Sequence, residues 1–466
     1  MTMETIAARI DRLPSSRFHR GVVLSLAFIY FFEFADSNAF SYAAPALREH
    51  LGLGIGSIAL VTSATFLGMF CGAVGAGRFA DRVGRRRGLI VATAVFTVFS
   101  LLNALAWSTG ALLAARFATG IGLAAMTVCA NTYLAELMPP VRRGKAQAIV
   151  SFIGHLGIPA MAFAAKLVVP LGEHGWRLVF CIGAVGALAL PLVARLPESP
   201  RWLYSTGRAE QAVRALTAIE RRVAASGHPL PEPVPVPASS VAGERISRPY
   251  RALFSPGLRR STLVLAVVWI FTTLGYYGFL TWVPTLLADQ GISVVDSLGY
   301  TTLITLGAAP GALLAWPVSA WLGRRRGIAL VCVLAAVCGL VYGLSFNPVL
   351  VVVFGFCMAA LLMAFGAQMY TYSPELFPTA LRNTGNGLVY GLGRLSNVFD
   401  PMVIAAVYGF AGYQSVFVYI GLCWLISAGA LVFCAPRKES GGLIESLGEQ
   451  GPGTPSNTVP SHGTRH

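Results

Sequence analysis

Ionisable side chains inside otherwise apolar segments are the residues of this chain with the clearest capacity for chemistry. They are Glu33, Asp36, Arg116, His155, Lys166, Arg394 and Asp400. A charged group in hydrocarbon is costly unless it is paired or hydrated, so each is a candidate for function rather than for packing. Carboxylates in such surroundings can take up and release protons, and an arginine can bind a carboxylate through two parallel hydrogen bonds.

The first hypothesis joins Asp36 and Arg116. Glu33 and Asp36 lie three residues apart and share one face of a helix. A nearby arginine favours the ionised form of a carboxylate, so moving that arginine away changes the affinity for a proton. We therefore expect Asp36, with Glu33 beside it, to carry the proton and Arg116 to pair with the ionised carboxylate. A static buried ion pair is the alternative.

One sequence pattern occurs twice, 239 residues apart (371 − 132). Residues 132–139 return as 371–378, and Gly84–Gly88 returns as Gly323–Gly327. This period is far longer than the roughly 20 to 50 residues of a solenoid repeat, so the duplicated unit is half of the protein. Duplicated halves in a strongly apolar chain are typical of a transporter.

The composition places most of the chain in lipid. Of the 466 residues, 55% are hydrophobic and 12% are charged, whereas soluble domains carry about 25% charged residues. Twelve apolar segments approach or exceed the roughly 20 residues that cross a bilayer. They cover residues 21–47, 58–77, 88–107, 111–137, 146–171, 178–194, 261–288, 298–322, 327–346, 349–376, 384–410 and 414–435. Because a backbone in hydrocarbon must satisfy its own hydrogen bonds, we predict an all-α membrane protein with twelve transmembrane helices in two pseudo-symmetric six-helix bundles.

Lysine and arginine cluster in the loops at one end of the predicted helices, whereas the loops at the other end hold only Arg48 and Arg177. Positively charged loops stay in the cytoplasm, so both termini are expected there, in a plasma membrane such as the bacterial inner membrane. This topology accounts for the net charge of +15. We therefore expect a lipid bilayer, protons and a small-molecule substrate as partners, no nucleic acid, and a functional monomer.

The predicted organisation has five parts. They are a cytoplasmic N-terminal segment (1–20), an N-terminal six-helix bundle (21–195), a cytoplasmic linker (196–260), a C-terminal six-helix bundle (261–435) and a disordered cytoplasmic tail (436–466). The linker contains a helical-looking stretch over 208–223 and a Pro-rich run over 229–237, which we expect to be extended.

The second hypothesis concerns His155 and Arg394, which the 239-residue offset makes equivalent. The same offset carries Asp36 onto Gly275, so proton coupling is expected in the first half alone. We expect His155 and Arg394 to face each other across a central cavity and to meet an anionic substrate. Further candidates for substrate contact are Tyr276, Tyr277, Trp282, Gln368 and Asn397.

Each of these assignments has a simpler alternative. His155 can be a core histidine, and Arg394 can pair with Glu33 or Asp400 inside the protein. The two tyrosines and Trp282 can be interfacial anchors, and amide side chains can join helices.

The 2–3 loop over residues 77–88 resembles the signature of the major facilitator superfamily, and the likeness extends over essentially the whole chain. Residues 197–203 resemble sugar and metabolite porters, and residues 276–284, 373–382 and 391–394 resemble metabolite:proton symporters that include niacin transporters and synaptic-vesicle-protein relatives. Residues 33–36 are similar to the first-span acidic motif of aromatic acid:proton symporters.

The resemblance implies alternating access and matches Arg116 to the span-four arginine of the sugar and metabolite porters. The chain departs from the aromatic acid symporters at Glu33, where aspartate is usual, and at 396–400, where their sequence is glycine-rich.

The cytoplasmic motifs predict gating contacts. We expect Asp81 to interact with a helix N-terminus, and Glu136 and Glu375 to pair with the arginines of residues 84–88 and with Arg143 and Arg382. Such pairs would latch the outward-facing state; the alternative is that these arginines only set topology. The residues assigned to gating are Gly77, Asp81, Arg82, Gly84, Arg85, Glu136, Arg143, Glu375 and Arg382.

These observations predict a secondary active transporter in which proton entry drives uptake of a small organic solute, best a carboxylate such as an aromatic or pyridine acid. It needs no cofactor beyond the proton gradient. A sugar or polyol symporter, a drug or metabolite exporter and a non-transporting sensor are the alternatives. An enzyme is not expected, because the sequence has no phosphate-binding Gly-Lys-Ser loop, metal-ligand cluster or nucleophile elbow, and its eight cysteines lack metal-site spacing.

Overall fold

The computed structural model describes residues 3–226, 230–232, 249–345, 347–378 and 381–434, and within these residues the regular structure is entirely helical. The helices are α1 (Met3–Asp11), α2 (Arg17–Leu51), α3 (Ile55–Val83), α4 (Arg85–Ala104), α5 (Thr109–Leu137), α6 (Pro140–His155), α7 (Gly157–Val168), α8 (Gly175–Ala184), α9 (Leu190–Ala194), α10 (Pro200–Ser205), α11 (Ala209–Ala224), α12 (Pro249–Leu253), α13 (Arg259–Asp289), α14 (Val294–Thr305), α15 (Ala308–Leu322), α16 (Arg324–Leu344), α17 (Pro348–Glu375) and α18 (Arg382–Gly429). A 3-10 turn at Val169–Leu171 extends α7, and another at Val185–Ala189 joins α8 to α9.

Ten described segments are long and apolar enough to cross a bilayer, and they account for eleven of the twelve predicted spans. Nine of them match one predicted span each. The tenth, Thr384–Cys434, contains the last two. The eighth predicted span is divided into α14 and α15 by a break at residues 306–307, so neither part is long enough to cross alone.

Gly412 separates the last two spans within α18. Its backbone has φ 77° and ψ −170°, a conformation that side chains disfavour and that glycine accepts. The Tyr419 hydroxyl donates a 2.9 Å hydrogen bond to Asp400 on the preceding segment. This contact across Gly412 shows that the chain reverses there. The merged helix is therefore two antiparallel helices.

The duplication is visible in the backbone at Gly84 and Gly323, which are equivalent under the 239-residue offset. Gly84 has φ 109° and ψ 155°, and Gly323 has φ 73° and ψ 157°. Each ends one helix and directly precedes the next, α4 or α16. The arginines at the start of α4 and α16 define what we call the arginine-rich end of the molecule.

The two bundles, α2–α9 and α13–α18, meet mainly along three helix pairs: α3 with α18, α7 with α14, and α2 with α13. Large apolar side chains cover the outer surface, among them Leu24, Val74, Phe163, Leu263 and Phe433. Soluble proteins seldom expose so much apolar surface, and this surface suits lipid.

A small helical unit lies at the arginine-rich end outside the bundles. Helix α1 packs on α10 and α11 around the buried residues Ile6, Ile10, Trp202, Leu203, Ala212 and Leu216. The predicted helical stretch in the linker is present as α11. The predicted Pro-rich run lies outside the described residues except for 230–232, and the predicted tail lies outside them entirely.

Candidate functional site

Asp36 of α2 and Arg116 of α5 form an ion pair inside the first bundle. Arg116 Nη1 lies 3.6 Å from Asp36 Oδ2 and donates a 3.4 Å hydrogen bond to the Asp36 carbonyl oxygen. The Asp36 and Arg116 side chains are 0% and 1% exposed. Within the described residues Asp36 Oδ2 accepts no hydrogen bond. The arginine therefore balances the charge of the carboxylate without holding it tightly, which leaves the pair able to separate.

Ser100 and Gly183 complete the surroundings of Asp36, and the sequence analysis missed both. The Ser100 hydroxyl contacts Asp36 Oδ1 and lies 3.0 Å from the carbonyl oxygen of Phe180. A Cβ atom at Gly183 would lie 2.2 Å from Asp36 Oδ1, so the carboxylate occupies space that only glycine leaves free. No spacing pattern marks these residues, since they come from α4 and α8 and meet Asp36 only in the folded bundle.

The Ser100 hydroxyl fits both protonation states of Asp36. A hydroxyl has one proton to donate and two lone pairs to accept with. It can donate to an ionised Asp36, or it can accept from a protonated Asp36 and turn its own proton to the Phe180 carbonyl. Asp36 can thus lose or gain a proton while the Ser100 hydroxyl keeps its hydrogen bonds.

Glu33 lies one turn before Asp36 and connects this site to the second bundle. Its side chain is buried, and Oε2 has no hydrogen-bond partner among the described residues. Its carboxylate interacts electrostatically with Arg394 and with Asp36. Glu33 is therefore within electrostatic range of both Asp36 and Arg394.

Arg394 of α18 is held by two tyrosine hydroxyls. Its Nη1 donates to Tyr277 Oη at 2.8 Å, and its Nε donates to Tyr390 Oη at 2.8 Å. The guanidinium carbon lies 5.6 Å and 5.1 Å from the two ring centroids. No carboxylate lies within ion-pair distance of Arg394 in the described part of the chain. Two neutral hydroxyls thus orient the Arg394 guanidinium, and no anion is bonded to it among the described residues.

Aromatic rings extend from these two tyrosines. The Trp269 ring packs edge-on against Tyr390 at 5.0 Å, and Tyr370 lies 6.0 Å from Tyr390. From the first bundle, Phe66 packs edge-on against Tyr277 at 5.0 Å. Of this cluster the sequence analysis identified only Tyr277, because aromatic residues are common in membrane helices and nothing in their spacing distinguished the others.

His155 and Tyr276, two further candidates, are partly buried beside other aromatic rings. His155 Nδ1 lies 2.7 Å from the Ser151 carbonyl oxygen, and its ring lies 4.2 Å from that of Phe34. Tyr276 packs against Tyr277 at 4.9 Å. Neither a hydrogen bond nor an ion pair joins His155 to Arg394 among the described residues, so their predicted pairing across a cavity stays a prediction.

The structure places the remaining predicted substrate residues inside the second bundle. Trp282 is 2% exposed, and this burial is incompatible with the alternative role of an interfacial anchor. Asn397 is fully buried, and neither atom of its amide has a hydrogen-bond partner within the described residues. Gln368 approaches Gly327 in the first turn of α16, toward the arginine-rich end rather than beside Arg394.

The charged motifs at the arginine-rich end form ion pairs within each bundle. Arg85 pairs with Asp81 and, through Nε at 3.1 Å, with Glu136. In the second bundle Arg324 pairs with Glu375. The expected pairing of Glu136 with an arginine of residues 84–88 is present at Arg85, whereas Arg143 Nε donates to the Met138 carbonyl oxygen at 2.9 Å instead of pairing with Glu136.

Two other gating assignments concern Arg382 and Asp81. Arg382 Nε donates to the Pro374 carbonyl oxygen at 3.2 Å rather than to Glu375, which Arg324 occupies. Asp81 binds the side chain of Arg85, the first residue of α4, and its expected interaction with a helix N-terminus stays a prediction. Gly77 is partly buried with open space around it, and Arg82 is exposed.

Glu198 occupies the N-terminus of α4. Its Oε1 accepts from the backbone N–H of Arg86 at 2.9 Å, in the first turn of α4. A carboxylate there is stabilised by the free N–H groups and the helix dipole. Glu198 belongs to the segment 197–203 that carried the porter resemblance, so a signal was present in the sequence, but its partner was not evident.

Asp11 and Glu220 attach α1 to the linker helices. Asp11 lies 2.9 Å from Arg201, and Glu220 accepts hydrogen bonds from Arg9 and Arg12. Burial acts to raise the pKa of Glu220, but the hydrogen bonds from the two arginines outweigh it and hold that pKa below its ordinary value.

The sequence profile of the Major Facilitator Superfamily matches residues 26–374. The chain is 42% identical to the Bacillus subtilis protein YyaJ, provisionally named as a metabolite transport protein, over 93% of this chain and 96% of that one. It is 31% identical to the 4-hydroxybenzoate transporter PcaK of Pseudomonas aeruginosa (87% and 89% covered) and 28% identical to the niacin transporter NiaP of Acinetobacter baylyi (95% and 99% covered).

Among solved structures, the xylose transporter XylE from E. coli in a partially occluded inward-open conformation superposes with a TM-score of 0.73 at 19% identity. The match covers 92% of this chain and 100% of that one. The protein therefore belongs to the Major Facilitator Superfamily. It is a multi-pass membrane transporter and not an enzyme, as the sequence predicted, and its fold is the twelve-helix fold of that family.

Proposed function

We propose that this protein is a proton-coupled symporter that imports a small carboxylate, with an aromatic or pyridine acid as the best-fitting class. The observation that carries the proposal is Arg394, a guanidinium held by two phenol hydroxyls with no bonded anion among the described residues. An arginine so placed binds a carboxylate through paired hydrogen bonds. The rings of Tyr277 and Tyr390 beside it suit a flat aromatic substrate.

Proton coupling is assigned to Asp36. Its burial, the loose pairing with Arg116 and the two-way hydroxyl of Ser100 support a carboxylate that alternates between ionised and protonated forms. Glu33 links the two sites, because it interacts with Asp36 and with Arg394. A substrate carboxylate on Arg394 competes with Glu33 for the same positive charge, so substrate binding favours proton uptake on the acidic pair.

Two of the relatives support the substrate class by name. One is named for 4-hydroxybenzoate and the other for niacin, both of which are flat ring carboxylates. The proposed location is the bacterial inner membrane with the arginine-rich end in the cytoplasm, in keeping with the positive-inside rule.

The test is uptake by the purified protein in liposomes of labelled 4-hydroxybenzoate, nicotinate and xylose, with and without an inward proton gradient. We expect the gradient to drive accumulation of an acid but not of xylose. Asp36→Asn should abolish accumulation and preserve exchange of the acid across the membrane. Accumulation of xylose alone would overturn the carboxylate assignment, and full accumulation by the variant would overturn the role of Asp36.

A further inference from the structure

Asp400 is a buried carboxylate that the mechanism above does not use. It lies on α18, is 1% exposed, and its side chain makes one hydrogen bond within the described residues, accepted from Tyr419 at 2.9 Å. Helix α13 approaches it at Gly278, where a Cβ atom would lie 3.5 Å from Asp400 Oδ2 and 3.0 Å from the apolar side chain of Ile404.

No charged group balances Asp400 in the part of the chain that the structure describes. The titratable groups that act on it are Tyr419 and Cys423, both on the segment after Gly412. Helix α13, which packs against α18, presents Gly278 to it. An ionised carboxylate with one hydrogen bond and no cation in such a place is strongly disfavoured, whereas the neutral acid is tolerated.

We propose that Asp400 is a second proton-carrying residue of the transport cycle, located in the second bundle. In the conformation seen here it is a neutral acid. It loses its proton when α13 moves away from α18 and admits water, and it takes up another from the opposite side in the next cycle. This inference rests on the proposed function of proton-coupled transport and extends it from one proton site to two.

The link to substrate runs through adjacent residues of α13. Tyr277 accepts a hydrogen bond from Arg394, and Gly278 covers Asp400. A displacement of α13 that releases Arg394 therefore also uncovers Asp400. The residue of the second bundle that is equivalent to Asp36 is Gly275, which has no carboxylate. Asp400 on α18 supplies a carboxylate to that bundle from another position.

The first test is independent of transport. Infrared difference spectra of the reconstituted wild type against Asp400→Asn at neutral pH should show the carbonyl band of one protonated carboxylic acid that the variant loses. Asp296→Asn, at an exposed aspartate, is the matched control and should lose no such band. Tyr419→Phe should shift the band of Asp400 by removing its hydrogen bond. Absence of the band from the wild type would overturn the proposal.

The second test measures the number of protons per substrate, from the substrate gradient that balances a known proton gradient across liposomes. Asp400→Asn should lower that number by one. If the infrared band is present but Asp400→Asn leaves the number of protons per substrate unchanged, Asp400 is a static neutral acid. If uptake by the wild type depends on sodium and Asp400→Asn loses that dependence, Asp400 belongs to a cation site. Either result overturns the proposal. If the wild type shows no proton-driven uptake, the proposed function fails as well, while the infrared result still reports the state of Asp400.

Discussion

Arg48 Nη1 lies 2.6 Å from Asp289 Oδ1, and this is the one ion pair among the described residues that joins the two bundles. The residues lie near the ends of α2 and α13, opposite the arginine-rich end. Both side chains are partly exposed, at 28% and 21%. In the orientation that the positive-inside rule predicts, this end faces the outside, and we predict that the pair holds the two bundles together there.

We expect Arg48→Asp to open this end and the double exchange Arg48→Asp with Asp289→Arg to close it again. A partly exposed pair contributes about 1 kcal/mol, so the single variant should change the ratio of closed to open molecules about fivefold. The measurement is the distance distribution between spin labels on cysteines introduced at Glu49 and Gln290 in a cysteine-free background. A double exchange that behaves like the single variant would show that the pair does not hold the bundles together.

Arg394→Lys should raise the KM for a carboxylate substrate tenfold or more. A lysine keeps the charge but loses the planar pair of donors, and hydrogen bonds to charged groups contribute about 1.5 to 3 kcal/mol. Uptake kinetics in liposomes measure the effect. Arg214→Lys, on the exposed face of α11, is the matched control and should change nothing. An unchanged KM in Arg394→Lys would remove this residue from the substrate site.

Gly183→Ala should uncouple transport from the proton gradient. The new methyl group would overlap Asp36 Oδ1 and force the carboxylate out of its place between Arg116 and Ser100. Overpacking of this kind costs about 1 to 3 kcal/mol, so we expect gradient-driven accumulation to fall by about fivefold or more while exchange persists. Gly75→Ala, where the structure leaves open space, is the control. Equal accumulation by the two variants would mean that Asp36 can move without consequence.

The docking of α1 on the linker helices should persist in mild acid and fail only at lower pH. The pKa of Glu220 is lower in the folded protein than its ordinary value, so its contribution is present above that ordinary value and is lost as the pH falls through the lowered one. Docking should therefore remain intact at pH 5 and weaken below about pH 4.

Fluorescence of Trp202, which lies in the cluster between α1 and α10, follows this docking, although the other tryptophans must first be replaced. Glu220→Gln should weaken docking already at neutral pH, with Glu210→Gln on the exposed face of α11 as the control. A transition at the same pH in the wild type and in Glu220→Gln would show that another group controls it.

The number of membrane helices, the duplication and the arginine-rich end were all predictable, because apolar segment length and loop charge are properties of local sequence. Gly84 and Gly323, which the 239-residue offset makes equivalent, adopt similar backbone turns. Asp36 and Arg116 were recognisable as functional candidates because buried charge is rare in membrane helices. The turn at Gly412 lies in the gap predicted between the last two spans, whereas the break at residues 306–307 interrupts a span predicted to be continuous, since helix breaks depend on packing as well as on composition.

The sequence by itself thus determined which segments enter the membrane and which residue types could carry a proton or bind an anion. Only the tertiary structure decided which of them meet. Ser100 and Gly183 reach Asp36 from other helices. Arg394 donates a hydrogen bond to Tyr390, and Glu198 accepts one at the N-terminus of α4. These contacts join residues far apart in the chain, and the relative rotation and tilt of packed helices that bring them together leave no mark in the spacing of residues along any one helix.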